Sequence, residues 1–266
     1  FTGKVLTWDE LEQLTGYKNG IAAWTIKALT ELSKIKASDC VVYEMSSFQL
    51  WDIKLSPKIA VILMVTEDHL DVHGSLKNYH QAKLNIVKFQ KDADDAAIYF
   101  AENKVSTNVA TSNKIGIKMP FPDANFAHIA GESIKFNEEI ICSIKDVKLI
   151  GEHNLQNIMA ALSVSKLLNL NSPEIADAIK KFKGLPHRME PVKTINGLTV
   201  YNDSYSSNPS ATLAAVKSFK QKLILMVGGF DRSVSFVELA ETLKLNQKNV
   251  KTIIYGQNKL KIKKAF

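Results

Sequence analysis

Ile59-Ala60-Val61-Ile62-Leu63-Met64-Val65 runs directly into Thr66-Glu67-Asp68-His69-Leu70-Asp71-Val72-His73. The first stretch reads as an apolar strand, and the second packs three carboxylates and two imidazoles just beyond its end. Ligands of open α/β sheets bind outside the carboxyl ends of the strands, so chemistry is expected here. A second apolar run, Cys40-Val41-Val42-Tyr43, reads as a strand ending on Glu44 and leads into Met45-Ser46-Ser47-Phe48-Gln49-Leu50. Two parallel strands delivering Glu44 and His69 to one edge would make a site for a hard cation. Mg²⁺ takes few protein ligands, keeps its waters and reaches for substrate phosphates. The alternative is that Glu44 and Asp68 only flank or cap the helices that follow.

Strand and helix patterns alternate along the chain, which predicts an α/β protein. Helical spacing of Tyr79, Ala82, Ile86 and Phe89 predicts a helix from Lys77 to about Phe89. Ala96 to Phe100 reads as a short strand. From about Thr107 to Leu149 helical periodicity is lacking, and short strands are expected, with Ile134–Phe136 and Ile140–Ser143 among them. Helices are predicted over Asn154–Leu168 and Ser172–Phe182, the latter with Pro173 at its first position. Gly184-Leu185-Pro186 breaks the pattern, and a domain boundary is placed near His187–Pro191. Beyond it come a strand at Leu198–Tyr201, a helix near Ser210–Phe219, a strand at Leu223–Val227, a helix near Phe236–Leu243 and a strand at Val250–Tyr255.

With 266 residues and 45% hydrophobic content, the chain can bury a sizeable core and is long enough for two domains. The net charge of +7 arises from scattered lysines. It suits anionic substrates such as nucleotides, although solvated lysine faces explain it as well. No basic cluster is interleaved with aromatics as in nucleic-acid binders, and no apolar run reaches the ~18 residues of a membrane span. Cys40 and Cys142 sit in apolar, strand-like surroundings, which predicts reduced core cysteines and a cytoplasmic protein.

The motifs, taken in order, resemble the Mur ligase family, the ATP-dependent amide ligases of peptidoglycan precursor synthesis. The branch that adds D-glutamate to UDP-N-acetylmuramoyl-L-alanine fits best. Glu44-Met45-Ser46-Ser47-Phe48-Gln49-Leu50 looks like that branch's E-L-S-S-F-Q-L, and Thr66 to Asp71 like its T-x-D-H-L-D. Gly151-Glu152-His153-Asn154-Leu155-Gln156-Asn157 is similar to G-x-H-N-x-x-N, and Leu185-Pro186-His187-Arg188-Met189-Glu190 to L-P-H-R-x-E. Asn202-Asp203-Ser204 and Gly228-Gly229-Phe230-Asp231 follow in the family's order.

The resemblance implies a three-layer, mostly parallel ATPase-like central domain over residues 1–188 and the front part of a Rossmann-like C-terminal domain over 189–266. It implies a monomeric enzyme with ATP and Mg²⁺ as cofactors, and UDP-N-acetylmuramoyl-L-alanine and D-glutamate as substrates. Glu44 and His69 are the implied Mg²⁺ ligands, joined by Lys83 once carbamylation has made it an anion. From the sequence alone Lys83 reads as a solvated helix lysine. Arg188 is placed against the transferring phosphoryl, with an interdomain salt bridge as its alternative role. Asn154 and Asn157 lie one turn apart, where they could read adenine or ribose; Asn154 could equally cap its helix. Asp203 faces nucleotide or amino acid across the cleft. Ser46 and Gln49 contact the muramoyl substrate, Ser207 is a further substrate contact, and Arg232 is a cation for amino-acid carboxylates. Catalysis is then expected from Lys83, His69 and Arg188.

Two departures bear on this. Asn202-Asp203-Ser204-Tyr205-Ser206-Ser207-Asn208-Pro209 has Tyr205 where the D-glutamate branch often has lysine, and resembles the branch that adds a D-Ala-D-Ala dipeptide. Met64 replaces an asparagine common before T-x-D-H. Another amino acid or dipeptide is therefore an alternative substrate, and a non-catalytic nucleotide-sugar-binding chain is a third reading. A Gly-rich loop ending in Gly-Lys-Thr/Ser should cradle phosphates with backbone N–H groups. Thr2-Gly3-Lys4-Val5-Leu6-Thr7 lacks the first glycine, the spacing and the adjacent hydroxyl. Lys18-Asn19-Gly20-Ile21-Ala22-Ala23 is only faintly similar to the family's G-N-I-G-x-P. The expectation is a chain incomplete at both ends and inactive alone.

Overall fold

The computed structural model describes residues 34–36, 39–66, 73–230, 235–245 and 249–266. By packing, the chain divides into residues 1–46 and 47–266. Before the division, residues 39–46 carry no helix or strand, and Val42 is 89% exposed. The strand expected at Cys40–Tyr43 is not formed, and Cys40 is exposed rather than a core residue. Apolar composition makes a strand only where the N–H and C=O groups also find a neighbouring strand.

After the division, a one-turn helix α1 (Ser47–Leu50) precedes β1 (Ile59–Ile62). β1, β2 (Ala96–Phe100) and β3 (Ile117–Phe121) form a parallel sheet in that order. The side chains of β2 alternate between two cores. Ala97 packs with Ala60, Ile62, Tyr79, Val87, Val109 and Ala110. Ile98 and Phe100 pack on the other face with Met119, Phe121, Met159 and Leu162. The first core is supplied by α2 (Leu76–Lys88) and α3 (Lys104–Ser112), the second by α4 (Glu152–Leu167). Helices thus cover both faces, in three layers, as parallel strands require.

β1 stops three residues short of the expected strand. Ser106 Oγ donates to Leu63 O at 2.6 Å and Asn103 Nδ2 to Val65 O at 3.1 Å, so side chains of the α3 start occupy carbonyls that a strand ladder would use. α3 itself was not legible from apolar periodicity. Its buried positions are Ser106, Val109 and Ala110, which have helical spacing, but two of the three are small. Asn103 caps it by accepting from Ser106 N at 2.9 Å.

β4 (Ala127–Ala130), β5 (Ser133–Phe136) and β6 (Glu139–Ser143) form an antiparallel sheet that lies against α4. Cys142 is buried there. α5 (Ser172–Lys181) is capped by Asn171, whose side chain accepts from Glu174 N, so Pro173 is its second residue rather than its first.

The chain then forms a hairpin, β7 (Glu190–Ile195) and β8 (Leu198–Asn202), around Asn196 (φ 50°) and Gly197 (φ 80°). This Asn-Gly turn has the left-handed backbone that matches strand twist. β7 was not expected, since the first strand beyond the boundary was placed at Leu198–Tyr201; its Pro191 is tolerated near a strand end. α6 (Pro209–Lys217), β9 (Leu223–Gly229), α7 (Val237–Leu245), β10 (Val250–Gly256) and α8 (Lys259–Ala265) complete the chain. β9 and β10 are parallel, and Leu213, Val216, Val227, Leu239, Leu243 and Ile262 close a third core. Among the described residues no helix is long and apolar enough to cross a membrane.

Gln90 joins the entries of β1 and β2. Its side chain is 3% exposed, and Nε2 donates to Pro57 O at 3.0 Å, Lys58 O at 3.3 Å and Ala96 O at 2.9 Å. Gln90→Ala strands buried carbonyls and opens a void, and should lower unfolding stability by about 2–4 kcal/mol. Urea denaturation measures this; a loss below ~0.5 kcal/mol would show the site to be hydrated instead.

Candidate active site

Arg188 sits on a turn of unusual backbone. His187 (φ 64°) and Met189 (φ 46°) on either side of it are both left-handed, a conformation that non-glycine residues adopt only when the surroundings fix it. The fixing contacts come from the segment after β8. Tyr205 N donates to His187 O at 3.1 Å, Met189 N donates to Asp203 Oδ1 at 3.0 Å, and Asn202 Nδ2 lies 2.8 Å from His187 Nδ1. His187 N also donates to Glu190 Oε2 at 2.8 Å. The second Asp203 oxygen accepts from Ser206 Oγ at 2.5 Å. Both carboxylate oxygens are therefore engaged.

The structure thus brings Arg188 and Asp203 together without pairing them. Among the described residues, the Arg188 guanidinium makes no ion pair and no hydrogen bond; its side-chain contact is the Tyr205 ring, with Cζ 5.1 Å from the ring centroid. The salt bridge considered for it from the sequence is absent among the described residues. An exposed guanidinium with its donors open suits recognition of an anion.

His153 adjoins the same group from the first turn of α4. Burial holds its imidazole below the ordinary 6.5; Asp203 pulls the other way and Arg188 adds to the lowering. The helix begins at Gly151 (φ 101°), which offers no side-chain cap. A Cβ there would lie 2.5 Å from Ser218 Oγ and 2.7 Å from His153 Cε1, so only glycine permits the approach. Asn154 does not cap the helix: its Nδ2 donates backwards to Ile150 O at 2.8 Å, leaving Oδ1 open to accept. Asn157, one turn on, is exposed. The carboxamides of Asn154 and Asn157 could meet the polar edge of a base.

Lys83 lies in the interior of α2 and is half-buried, with Nζ 4.9 Å from the centroid of the Tyr79 ring. Tyr79 meets buried His73 edge-on at 5.3 Å. His73 stacks on Trp51 at 4.5 Å, and its Nε2 lies 3.0 Å from Ser47 Oγ. Lys83 is therefore tied through aromatic contacts to α1, where Gln49 is half-buried. A solvated helix lysine does not describe it.

Glu44 and Ser46 are exposed and precede the division of the chain. Ser207 is exposed between Ser206 and Asn208, the residue that caps α6. His69 and Arg232 lie outside the described residues, as do Asp68, Asp71, Asp231 and the segments Thr2–Thr7 and Lys18–Ala23. Among the described residues, the grouped carboxylates are Asp92, Asp94 and Asp95 before β2. They serve structure: Asp94 pairs with Lys58, and Asp95 accepts from Lys91 N at 2.8 Å and Asp92 N at 3.0 Å.

The Mur ligase middle domain matches residues 14–165, and the Mur ligase glutamate ligase domain matches residues 187–265. The chain belongs to the Mur ligase family.

Among relatives, UDP-N-acetylmuramoylalanine--D-glutamate ligase of Clostridium tetani is 36% identical over 243 residues, covering 89% of this chain and 52% of that protein. The enzyme of the same name from Bacillus thuringiensis is 37% identical over 272 residues, covering 99% and 59%. The chain spans little more than half the length of these relatives. Two solved Mur ligases share the fold. Thermotoga maritima UDP-N-acetylmuramate-alanine ligase has a TM-score of 0.56 at 16% identity, over 79% of this chain and 53% of that one. The UDP-N-acetylmuramoylalanyl-D-glutamyl-2,6-diaminopimelate--D-alanyl-D-alanyl ligase of Acinetobacter baumannii has a TM-score of 0.58 at 18% identity, over 80% and 53%.

Two residues of this candidate site went unassigned by motif reading. His153 stands inside the quoted Gly151–Asn157 motif, but nothing in the spacing says that its ring lies within electrostatic range of Arg188 and Asp203. Tyr205 was visible only as a departure. His153 also gives a pH signature. Its depressed pKa means that the unfolded chain binds this proton more readily than the folded one. Stability should therefore fall as pH drops below 6.5 and stop responding below the folded pKa. His153→Gln should flatten that part of the stability–pH curve, and an NMR titration of the ring should give a midpoint below 6.5. A midpoint above it would mean that Asp203 dominates over burial.

Proposed function

We propose that the protein carrying this chain is an ATP-dependent amide ligase that adds D-glutamate to UDP-N-acetylmuramoyl-L-alanine. The observation behind this reading is that relatives 35–37% identical over 89–99% of the chain bear that activity in their names. In the same reading residues 1–188 serve as the ATP-binding central domain, 189–266 belong to the C-terminal domain, and the protein acts as a cytoplasmic monomer.

The chemistry suits the side chains. A carboxylate does not condense with an amine at neutral pH, because the leaving group would be oxide. Transfer of the ATP γ-phosphoryl to the carboxylate makes an acyl phosphate, the amine attacks its carbonyl, and the tetrahedral intermediate expels phosphate. Negative charge builds at each stage, so oriented cationic donors carry most of the catalysis. Arg188, with its donors open beside a carboxylate that does not neutralise it, is suited to the transferring phosphoryl. Neutral His153 would sit beside it without adding charge. Asn154 Oδ1 and Asn157 would receive the base, Asp203 would hold the Arg188 turn at the nucleotide, and Ser46, Gln49, Ser207 and Arg232 would contact substrate.

A Mg²⁺ ion bound here would neutralise phosphate charge. Glu44 offers the hard oxygen that such an ion takes, and His69 a nitrogen. Lys83 as an ammonium does not fit, and its position over the Tyr79 face is one a cation prefers. Addition of CO₂ to its neutral amine forms an N–C bond and releases a proton. The resulting carbamate anion would be repelled by the ring face and would supply oxygen donors. Carbamylation thus converts Lys83 from a side chain held by Tyr79 into one available to a metal.

The deciding experiment is phosphate release by the complete protein with ATP, Mg²⁺ and UDP-N-acetylmuramoyl-L-alanine. D-glutamate should stimulate release more than any other amino acid or D-Ala-D-Ala; preference for the dipeptide would move the protein to another branch. Lys83→Ala should lower kcat about a thousandfold or more, on the order of 4 kcal/mol in the barrier, without rescue by bicarbonate. Unchanged turnover would leave Lys83 a packing residue.

A further inference from the structure

The contact between Arg188 and Tyr205 carries an inference that rests on the proposed role of Arg188 at a transferring phosphoryl. We infer that Tyr205 is the positioning residue of this site: its ring is the platform that sets the plane of the Arg188 guanidinium and keeps its donor edge turned toward the anion.

Four observations converge. Arg188 has no ion pair or hydrogen bond among the described residues, so the ring at 5.1 Å is the contact available to orient it. Its Cα–Cβ direction is already constrained, because left-handed residues flank it on both sides. Tyr205 comes from the segment that anchors that turn, through Tyr205 N to His187 O at 3.1 Å and Met189 N to Asp203 Oδ1 at 3.0 Å. Platform and guanidinium are therefore fixed to one frame. Finally, Tyr205 is 51% exposed, so the ring is not there to fill a core.

Stacking restrains a guanidinium differently from an ion pair. A carboxylate would hold Arg188 by occupying the N–H donors that an anion needs. A ring face takes the flat side of the group and leaves the whole N–H edge free. Asp203, which is bonded to the turn that carries Arg188, is withdrawn from competition by Met189 N and Ser206 Oγ. An aliphatic side chain at 205 would leave Arg188 to rotate, and a lysine there would repel it.

The test uses the complete protein and two independent readouts. In a spectrum of protein with ¹⁵N-labelled arginine, the Arg188 Nε–H, assigned through its loss in Arg188→Lys, should be shifted upfield by the ring. The shift should persist in Tyr205→Phe and vanish in Tyr205→Ala. In kinetics, Tyr205→Ala should lower kcat about tenfold with KM for ATP changed less than twofold, and Tyr205→Phe should recover at least half of the wild-type kcat. In an Arg188→Ala background, Tyr205→Ala should cost nothing further. A further loss there would mean that Tyr205 meets substrate itself, and equal losses in Phe and Ala variants would assign the effect to the hydroxyl. Either result overturns the inference, as does a wild-type kcat in Tyr205→Ala. If the wild-type protein does not ligate D-glutamate, the functional reading fails instead, and the arginine resonance still decides whether Tyr205 orients Arg188.

Discussion

β2 is the strand on which the parallel sheet and the helices α2 to α4 are built, because it is buried on both faces and paired along both edges. Alternation of its side chains assigns Ala97 and Tyr99 to the face under α2 and α3, and Ile98 and Phe100 to the face under α4. Contacts of Ile98 and Phe100 with Met159 and Leu162 fix α4 on the sheet, and with it His153 and Asn154 at its start. Packing of this density transmits placement over several layers, since cores tolerate few voids.

The site depends on a division of labour among polar groups. Asp203 is spent on a backbone N–H and a serine hydroxyl, and the left-handed residues around Arg188 are stabilised in return. Each such residue costs on the order of 1–3 kcal/mol, which the hydrogen bonds to Asp203, His187 O and Glu190 help to offset. The outcome is an arginine on a braced turn that makes no ion pair among the described residues. Had Asp203 paired with Arg188 directly, the charge would be quenched and the turn left unsupported.

Aromatic contacts also place Lys83. Its ammonium lies over the Tyr79 ring, which itself packs edge-on against the buried imidazole of His73.

The sequence by itself settled the family and most of the regular elements. Motif order does not depend on coordinates, and hydrophobic patterning is a local property: Ala96–Phe100 was readable as a short apolar run, and the helix after Lys77 from the helical spacing of Tyr79, Ala82, Ile86 and Phe89. The helix at Lys104–Ser112 and the strand at Glu190–Ile195 were not, the first because small buried residues carry no apolar signal, the second because its side chains are mostly exposed and follow no buried face. Cys40–Tyr43 has the composition of a strand but not its hydrogen bonds, which only a neighbour in space could supply. Arg188, Asp203, Asn154 and Asn157 were named from motifs. That Asp203 braces a turn instead of neutralising Arg188, that Tyr205 is the surface against which Arg188 lies, and that His153 joins them could come only from the tertiary structure. These are relations between segments distant along the chain, and no local pattern encodes which partner a polar side chain will find there.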